Sequence, residues 1–180
     1  MSEAGAGSDG SGPRVVLVGP MGAGKTTVAE VLAARWGLPV RDTDADVEAA
    51  EGRSISDIFV DSGEGYFRRR EAAAVATAVA EHDGVLSLGG GAVLDPATRE
   101  LLAGLPVVFL RVGLSEAVKR VGLGTSRPLL LGNVRARIKA LLDERTPIYE
   151  SVAAVVVDTD GRTPDEVADE VAAALERSPA

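Results

Sequence analysis

Short β-branched runs and segments of helical period alternate along most of the chain. Arg14 to Gly19 (RVVLVG) is an apolar run closed by glycine, and in Lys25 to Trp36 the residues Val28, Val31 and Leu32 recur at helical spacing. That order predicts strand, glycine loop, helix. Further apolar runs at Val85 to Leu88, Pro106 to Val112 and Ala153 to Asp158 alternate with helical segments around Ala97 to Ala103, Leu114 to Arg120 and Pro164 to Leu175. A shorter run, Leu38 to Val40, supplies a fifth strand. Apolar strands regularly separated by helices are the mark of a parallel sheet covered on both faces, so the expected class is a three-layer α/β/α fold on a five-stranded parallel sheet. Two insertions break the alternation. Thr43 to Asp83 reads as two or three helices, including a long one through Phe67 to Ala80, and Gly122 to Asn133 is rich in glycine and arginine. Substrate-covering segments and lids are drawn from such insertions.

Composition narrows the class. The chain has 180 residues, 46% of them hydrophobic and 26% charged, which is enough for one domain with a full core and too little for two of ordinary size. The expected organisation is a disordered tail over residues 1–13, small, polar and acidic, followed by a single domain over residues 14–180. The tail has neither the basic start nor the apolar run of a secretory signal, and the apolar stretch Ala72 to Ala80 falls well short of the about 20 residues a bilayer helix needs. These features predict a cytoplasmic protein with no membrane contact. The formal charge of −8 and pI near 4.7 repel polyanions, so nucleic acid is not an expected partner. With no cysteine and a single histidine, His82, disulfides are excluded and zinc chemistry nearly so.

The strongest chemical signal is Gly19-Pro20-Met21-Gly22-Ala23-Gly24-Lys25-Thr26, a full G-x-x-x-x-G-K-[ST] match between a predicted strand and a predicted helix. Backbone N–H groups of such a loop, at Gly22, Ala23 and Gly24, turn inward around phosphate oxygens at the positive end of the following helix. Lys25 adds a mobile charge, Thr26 a hydroxyl for Mg²⁺, and Thr27 a backbone contact. A guanine-specific signature is absent, because the only asparagine, Asn133, is followed by valine. The strand Val85 to Leu88 runs into Gly89-Gly90-Gly91 where many ATPases place a magnesium-binding aspartate. Carboxylates stand instead in Asp42-Thr43-Asp44, after another strand, and strand ends of an open parallel sheet share one crevice. Plainer readings stand beside these. Asp42 or Asp44 can cap a helix, the arginines of Phe67-Arg68-Arg69-Arg70-Glu71 can form a solvated helix face, Arg127 can be an exposed loop charge, and the three glycines can be only a turn. His82, Trp36 and Tyr149 read as packing or surface residues.

GPMGAGKT, DTD, FRRRE, the triple glycine, Arg127-Pro128-Leu129-Leu130 and Arg145-Thr146-Pro147-Ile148-Tyr149 occur in the order found in shikimate kinases, and the chain resembles that family from Arg14 to about Glu176. The departures are the glycine-rich tail and Thr26-Thr27 where serine then threonine is frequent. The resemblance implies the nucleoside-monophosphate-kinase type of P-loop fold, with a substrate-binding helical insertion over about residues 43–83 and a lid over about 122–133. It implies a cytoplasmic, monomeric enzyme that uses ATP with Mg²⁺ to phosphorylate the 3-hydroxyl of shikimate, in chorismate and aromatic amino-acid synthesis. Residue by residue, Asp44 matches the aspartate at the acceptor hydroxyl and Asp42, with Thr26, the Mg²⁺ side. Arg68, held by Glu71, and Arg145 match the clamp on the substrate carboxylate. Gly90, flanked by Gly89 and Gly91, matches a substrate contact, and Arg127 the lid arginine that reaches the phosphates. Arg120, Arg162 and Pro164 match positions flanking the adenine. A gluconate kinase of similar architecture and a nucleotide-binding regulatory module are the alternatives.

Overall fold

The computed structural model describes residues 12–122 and 131–177. Its core is a five-stranded sheet in the order β2-β3-β1-β4-β5, built from β1 (Val15–Val18), β2 (Val40–Asp42), β3 (Val85–Ser87), β4 (Val107–Arg111) and β5 (Val155–Asp158). All four pairings are parallel. The central strand is buried along its whole length, and its alternating side chains feed two cores. Val15 and Leu17 pack with α1 (Lys25–Trp36) and α7 (Pro164–Arg177), whereas Val16 and Val18 pack with α3 (Ile55–Glu81), α4 (Pro96–Leu102) and Tyr149 of α6 (Leu131–Val152). Period-2 side chains on a strand covered on both faces explain why the run is apolar without interruption.

The second strand departs from expectation. It covers Val40–Asp42 and not Leu38 to Val40, because Gly37 ends α1 in the left-handed conformation and the Leu38 N–H still bonds to Ala33 O, 3.0 Å away. Asp42 is therefore the last strand residue and also the cap of α2 (Thr43–Glu51): its Oδ1 accepts from the N–H groups of Asp44 and Ala45. The first insertion holds α2 and α3. Gly63, at φ 84° and ψ 167°, breaks α3 into two helical stretches, and Val47, Ile58 and Phe67 give the insertion its own small core.

The helix α6 was not expected from the pattern. Pro147 lies inside it, and a proline within a run reads as a helix terminator. The expected lid at 122–133 overlaps the end of α5 (Leu114–Gly122) and the start of α6; residues 123–130 between them, with Arg127, lie outside the described residues. Of the expected tail, Pro13 is buried and residues 1–11 lie outside the described residues. Among the described residues, no helix is long and apolar enough to cross a membrane.

Candidate active site

Strand ends set the site. The chain leaves β1, β2 and β3 at Gly19, Asp42 and Gly89 on the same edge of the sheet, as parallel strands require. After β1 the loop turns through left-handed glycines at Gly22 and Gly24, and Gly24 caps α1 without a side chain. Only glycine takes φ near 86° at no steric cost. Lys25 folds back on the loop, donating from Nζ to Gly19 O at 2.6 Å and Pro20 O at 3.1 Å. Burial lowers its pKa to about 8, opposed by Asp44 and Asp42 and assisted by Arg145.

Lys25, Asp44, Arg68, Glu71, Gly90, Gly91 and Arg145 share one cleft of about 360 Å³, whose remaining wall is apolar and includes Ile55, Phe59 and Phe67. Burial raises Asp44 to about 6, helped by Asp42 and Glu71 and opposed by Lys25. Arg68 donates from Nη1 to Glu71 Oε1 at 2.8 Å. Glu71 is itself buried, and burial pushes its carboxyl above the usual range while Arg68 holds it down. The Nε atoms of Arg68 and Arg145 are buried and make no hydrogen bond. Of the three neighbouring arginines, Arg69 is exposed and Arg70 is spent on Glu51 and Tyr66 outside the cleft, so Arg68 alone of the cluster reaches the site.

The glycine turn after β3 fits around these groups. A Cβ on Gly89 would meet Asp44 Oδ1 at 2.4 Å, and one on Gly91 would meet Arg68 Nη1 at 2.3 Å. The N–H of Gly89 is taken by Thr43 Oγ1 at 3.2 Å, and the missing side chain of Gly89 leaves room for Asp44. Thr43 and Tyr149 are the residues that sequence reasoning passed over. The Tyr149 hydroxyl donates to Gly90 O at 2.5 Å, in the same helix face as Arg145, a relation that is visible only once α6 is known to be helical.

A second cavity of about 300 Å³ continues from the loop past Ala23, Gly24 and Thr27 to Arg120, Arg162 and Pro164. Arg120 ties its sides together, donating to Gly22 O at 2.8 Å and to Thr159 O and Oγ1 at 3.3 Å. Arg162 pairs with Glu170. A third and larger cavity of about 630 Å³ lies at the opposite end of the sheet; its one charged residue, Arg99, is bonded to the carbonyls of Val93 and Leu94. Among the described residues no group of three or more histidine, cysteine or carboxylate side chains could cage a metal. The exposed Thr26 hydroxyl and the Asp42 carboxylate are hard oxygen donors that suit Mg²⁺ arriving on a nucleotide.

A P-loop that opens on one cavity running to Arg120, Arg162 and Pro164, and on another lined by Lys25, two carboxylates and two arginines, is the arrangement of a P-loop kinase. Comparison with known proteins specifies the kind. The family model described as shikimate kinase matches residues 21–176. A shikimate kinase of Frankia casuarinae is 62% identical over 161 residues, 89% of this chain and 72% of that one, and one of Streptomyces avermitilis is 58% identical over 164 residues, 91% and 96%. Among solved structures, shikimate kinase from Acinetobacter baumannii in complex with shikimate has a TM-score of 0.85 at 32% identity, covering 93% of this chain and 94% of that one. The chain belongs to the shikimate kinase family. A gluconokinase from Sinorhizobium meliloti, at 20% identity and a TM-score of 0.56, shares the fold; its likeness says nothing about the acceptor.

Proposed function

We propose that the chain transfers the γ-phosphoryl group of ATP to the 3-hydroxyl of shikimate, giving shikimate 3-phosphate and ADP. The observation that carries the reading is the pair of buried guanidinium Nε atoms, on Arg68 and Arg145, that make no hydrogen bond on the walls of the cleft that holds Asp44 and Lys25, Arg68 Nε having only a 3.5 Å ion contact with Glu64. Buried donors without acceptors cost stability. A planar carboxylate on the acceptor satisfies them, and guanidinium geometry matches it with two parallel donors. The apolar wall of Ile55, Phe59 and Phe67 suits a carbocyclic ring.

With the acceptor so oriented, its hydroxyl oxygen attacks the γ-phosphorus and the bond to the bridging oxygen of ADP breaks. Asp44, ionised, orients that hydroxyl and accepts its proton as the new bond forms. Lys25 exchanges Gly19 O and Pro20 O for phosphate oxygens, and the N–H groups of Gly22 and Gly24 hold them, that of Ala23 being bonded to Pro20 O at 3.2 Å. Thr26 and Asp42 would hold Mg²⁺, which would supply charge neutralisation on the phosphates. Arg120, Arg162, Pro164 and Thr27 face the nucleoside, and Arg127 is assigned to the phosphates by its place in the family motif alone. The same proposal takes the chain to work as a monomer in the cytoplasm.

A coupled ADP-release assay tests the acceptor, with turnover expected for shikimate and not for gluconate. Arg68→Lys and Arg145→Lys keep the charge and lose the fork. Each should raise the KM for shikimate by about tenfold, equivalent to about 1.4 kcal/mol of binding, and leave the KM for ATP almost unchanged. Arg69→Lys is the control, expected to behave as wild type. Equal losses at Arg68 and Arg69 would replace the bidentate contact by a general charge effect.

A further inference from the structure

The carbonyl of Gly90 and the guanidinium of Arg145 meet through one residue. Tyr149 is fully buried, its ring packed on Phe109 with centroids 5.0 Å apart, and its hydroxyl donates to Gly90 O at 2.5 Å. Arg145 precedes it by one turn on α6 and approaches the same place: its Nη1 lies 3.8 Å from where a Gly90 Cβ would stand, next to Gly19 O and Met21 N of the phosphate loop at 3.7 Å. Arg145 is also close enough to the Tyr149 hydroxyl to oppose the rise that burial gives it. Between the two residues sits Pro147, which cannot donate to the carbonyl of Asp143 and clashes with it. The turn of α6 that aims Arg145 therefore lacks one bond of its own ladder and needs an outside tether.

We infer that Tyr149 is a positioning residue that fixes Arg145 against the Gly90 turn, so that both reach one acceptor carboxylate in a single register. Its hydroxyl touches no reacting atom; it acts through the helix and the turn. The inference rests on the acceptor-clamp reading and goes beyond it by naming what holds the clamp in place across the weakened turn.

Tyr149→Phe removes the hydroxyl and keeps the ring, its contact with Phe109 and the core volume. The KM and the calorimetric Kd for shikimate should rise about three- to tenfold, with the KM for ATP within about twofold and the melting temperature nearly kept. Because Tyr149 acts through Arg145, the double variant Arg145→Lys, Tyr149→Phe should be no more than about twofold worse for shikimate than Arg145→Lys alone. Unchanged shikimate binding in Tyr149→Phe overturns the inference. So does an equal loss for ATP and shikimate, which marks a merely structural residue, or full multiplication of the two effects in the double variant. Wild-type turnover of shikimate in the same assay is the reference. If that is missing, the functional reading and this one fall together; if it is present, only the positioning role is at stake.

Discussion

Asp44 and Lys25 share a cleft and are pushed in opposite directions by the same cause. Burial raises the carboxyl to about 6 and lowers the ammonium to about 8, so both carry charge only between those values. With both substrates held well below KM, kcat/KM reports the free enzyme, and it should be bell-shaped with limbs near these two values. Asp44→Asn should lower kcat by about 10²-fold and abolish the acid limb; an acid limb that survives belongs to another group. The stability signs follow from linkage. Asp44 titrates higher in the folded chain than in the unfolded one, so its contribution is present at low pH and lost as pH rises from 3.8 to about 6. Lys25 titrates lower when folded, so its contribution is present above 10.5 and lost as pH falls to about 8. Near neutrality the fold carries both charges against its own preference, as a site prepared for phosphate and hydroxyl does. Sequence showed which residues these were and not how they are shared out. Asp42 caps α2 with Oδ1, so the capping and the magnesium readings of the DTD are compatible in one side chain with two oxygens.

At the scale of elements, the glycine turn after β3 is a spacer as much as a loop. Gly89→Ala would press its methyl on Asp44 Oδ1, and Gly91→Ala on Arg68 Nη1. Both are free ends of flexible side chains, so the fold should tolerate the methyl while the displaced group loses its aim. Gly89→Ala should lower kcat by about tenfold or more, and Gly91→Ala should act mainly on the KM for shikimate, each with a small change in melting temperature by calorimetry. The same kcat loss in both would show that the turn acts as a whole. Elements were legible where one physical signal dominated. The strands β1, β3, β4 and β5 begin as apolar runs, buried throughout in β1 and β3, and α1 follows a loop that phosphate binding explains. Local conflict hid the rest. Leu38 looked like strand because it is apolar, yet its N–H is used to finish α1. Pro147 concealed α6, whose remaining contacts outweigh one broken turn, and with α6 went the one-turn relation between Arg145 and Tyr149.

For the whole molecule, the proposed function gives the two substrates different supports: the phosphates the loop between β1 and α1, and the acceptor the cleft walled by α3 and α6. A ligand that binds only the folded state stabilises it by RT ln(1 + [L]/Kd), about 2.7 kcal/mol at a hundredfold excess over Kd. For a domain of this size that is roughly 5–10 °C in melting temperature. Shikimate at a hundred times the wild-type Kd should therefore raise the wild-type melting temperature by that amount. In Arg145→Lys, with Kd weakened about tenfold, the same concentration is only about ten times Kd and supplies about 1.4 kcal/mol, half the shift. The shift produced by ATP should stay as in wild type, since Arg145 belongs to the acceptor side. Without ligand the variant should melt no lower than wild type, because it removes a buried donor that has no partner in the free protein. A drop of several degrees in the unliganded variant, or an equal loss of both ligand shifts, would make Arg145 a structural residue and return the carboxylate clamp to Arg68 alone.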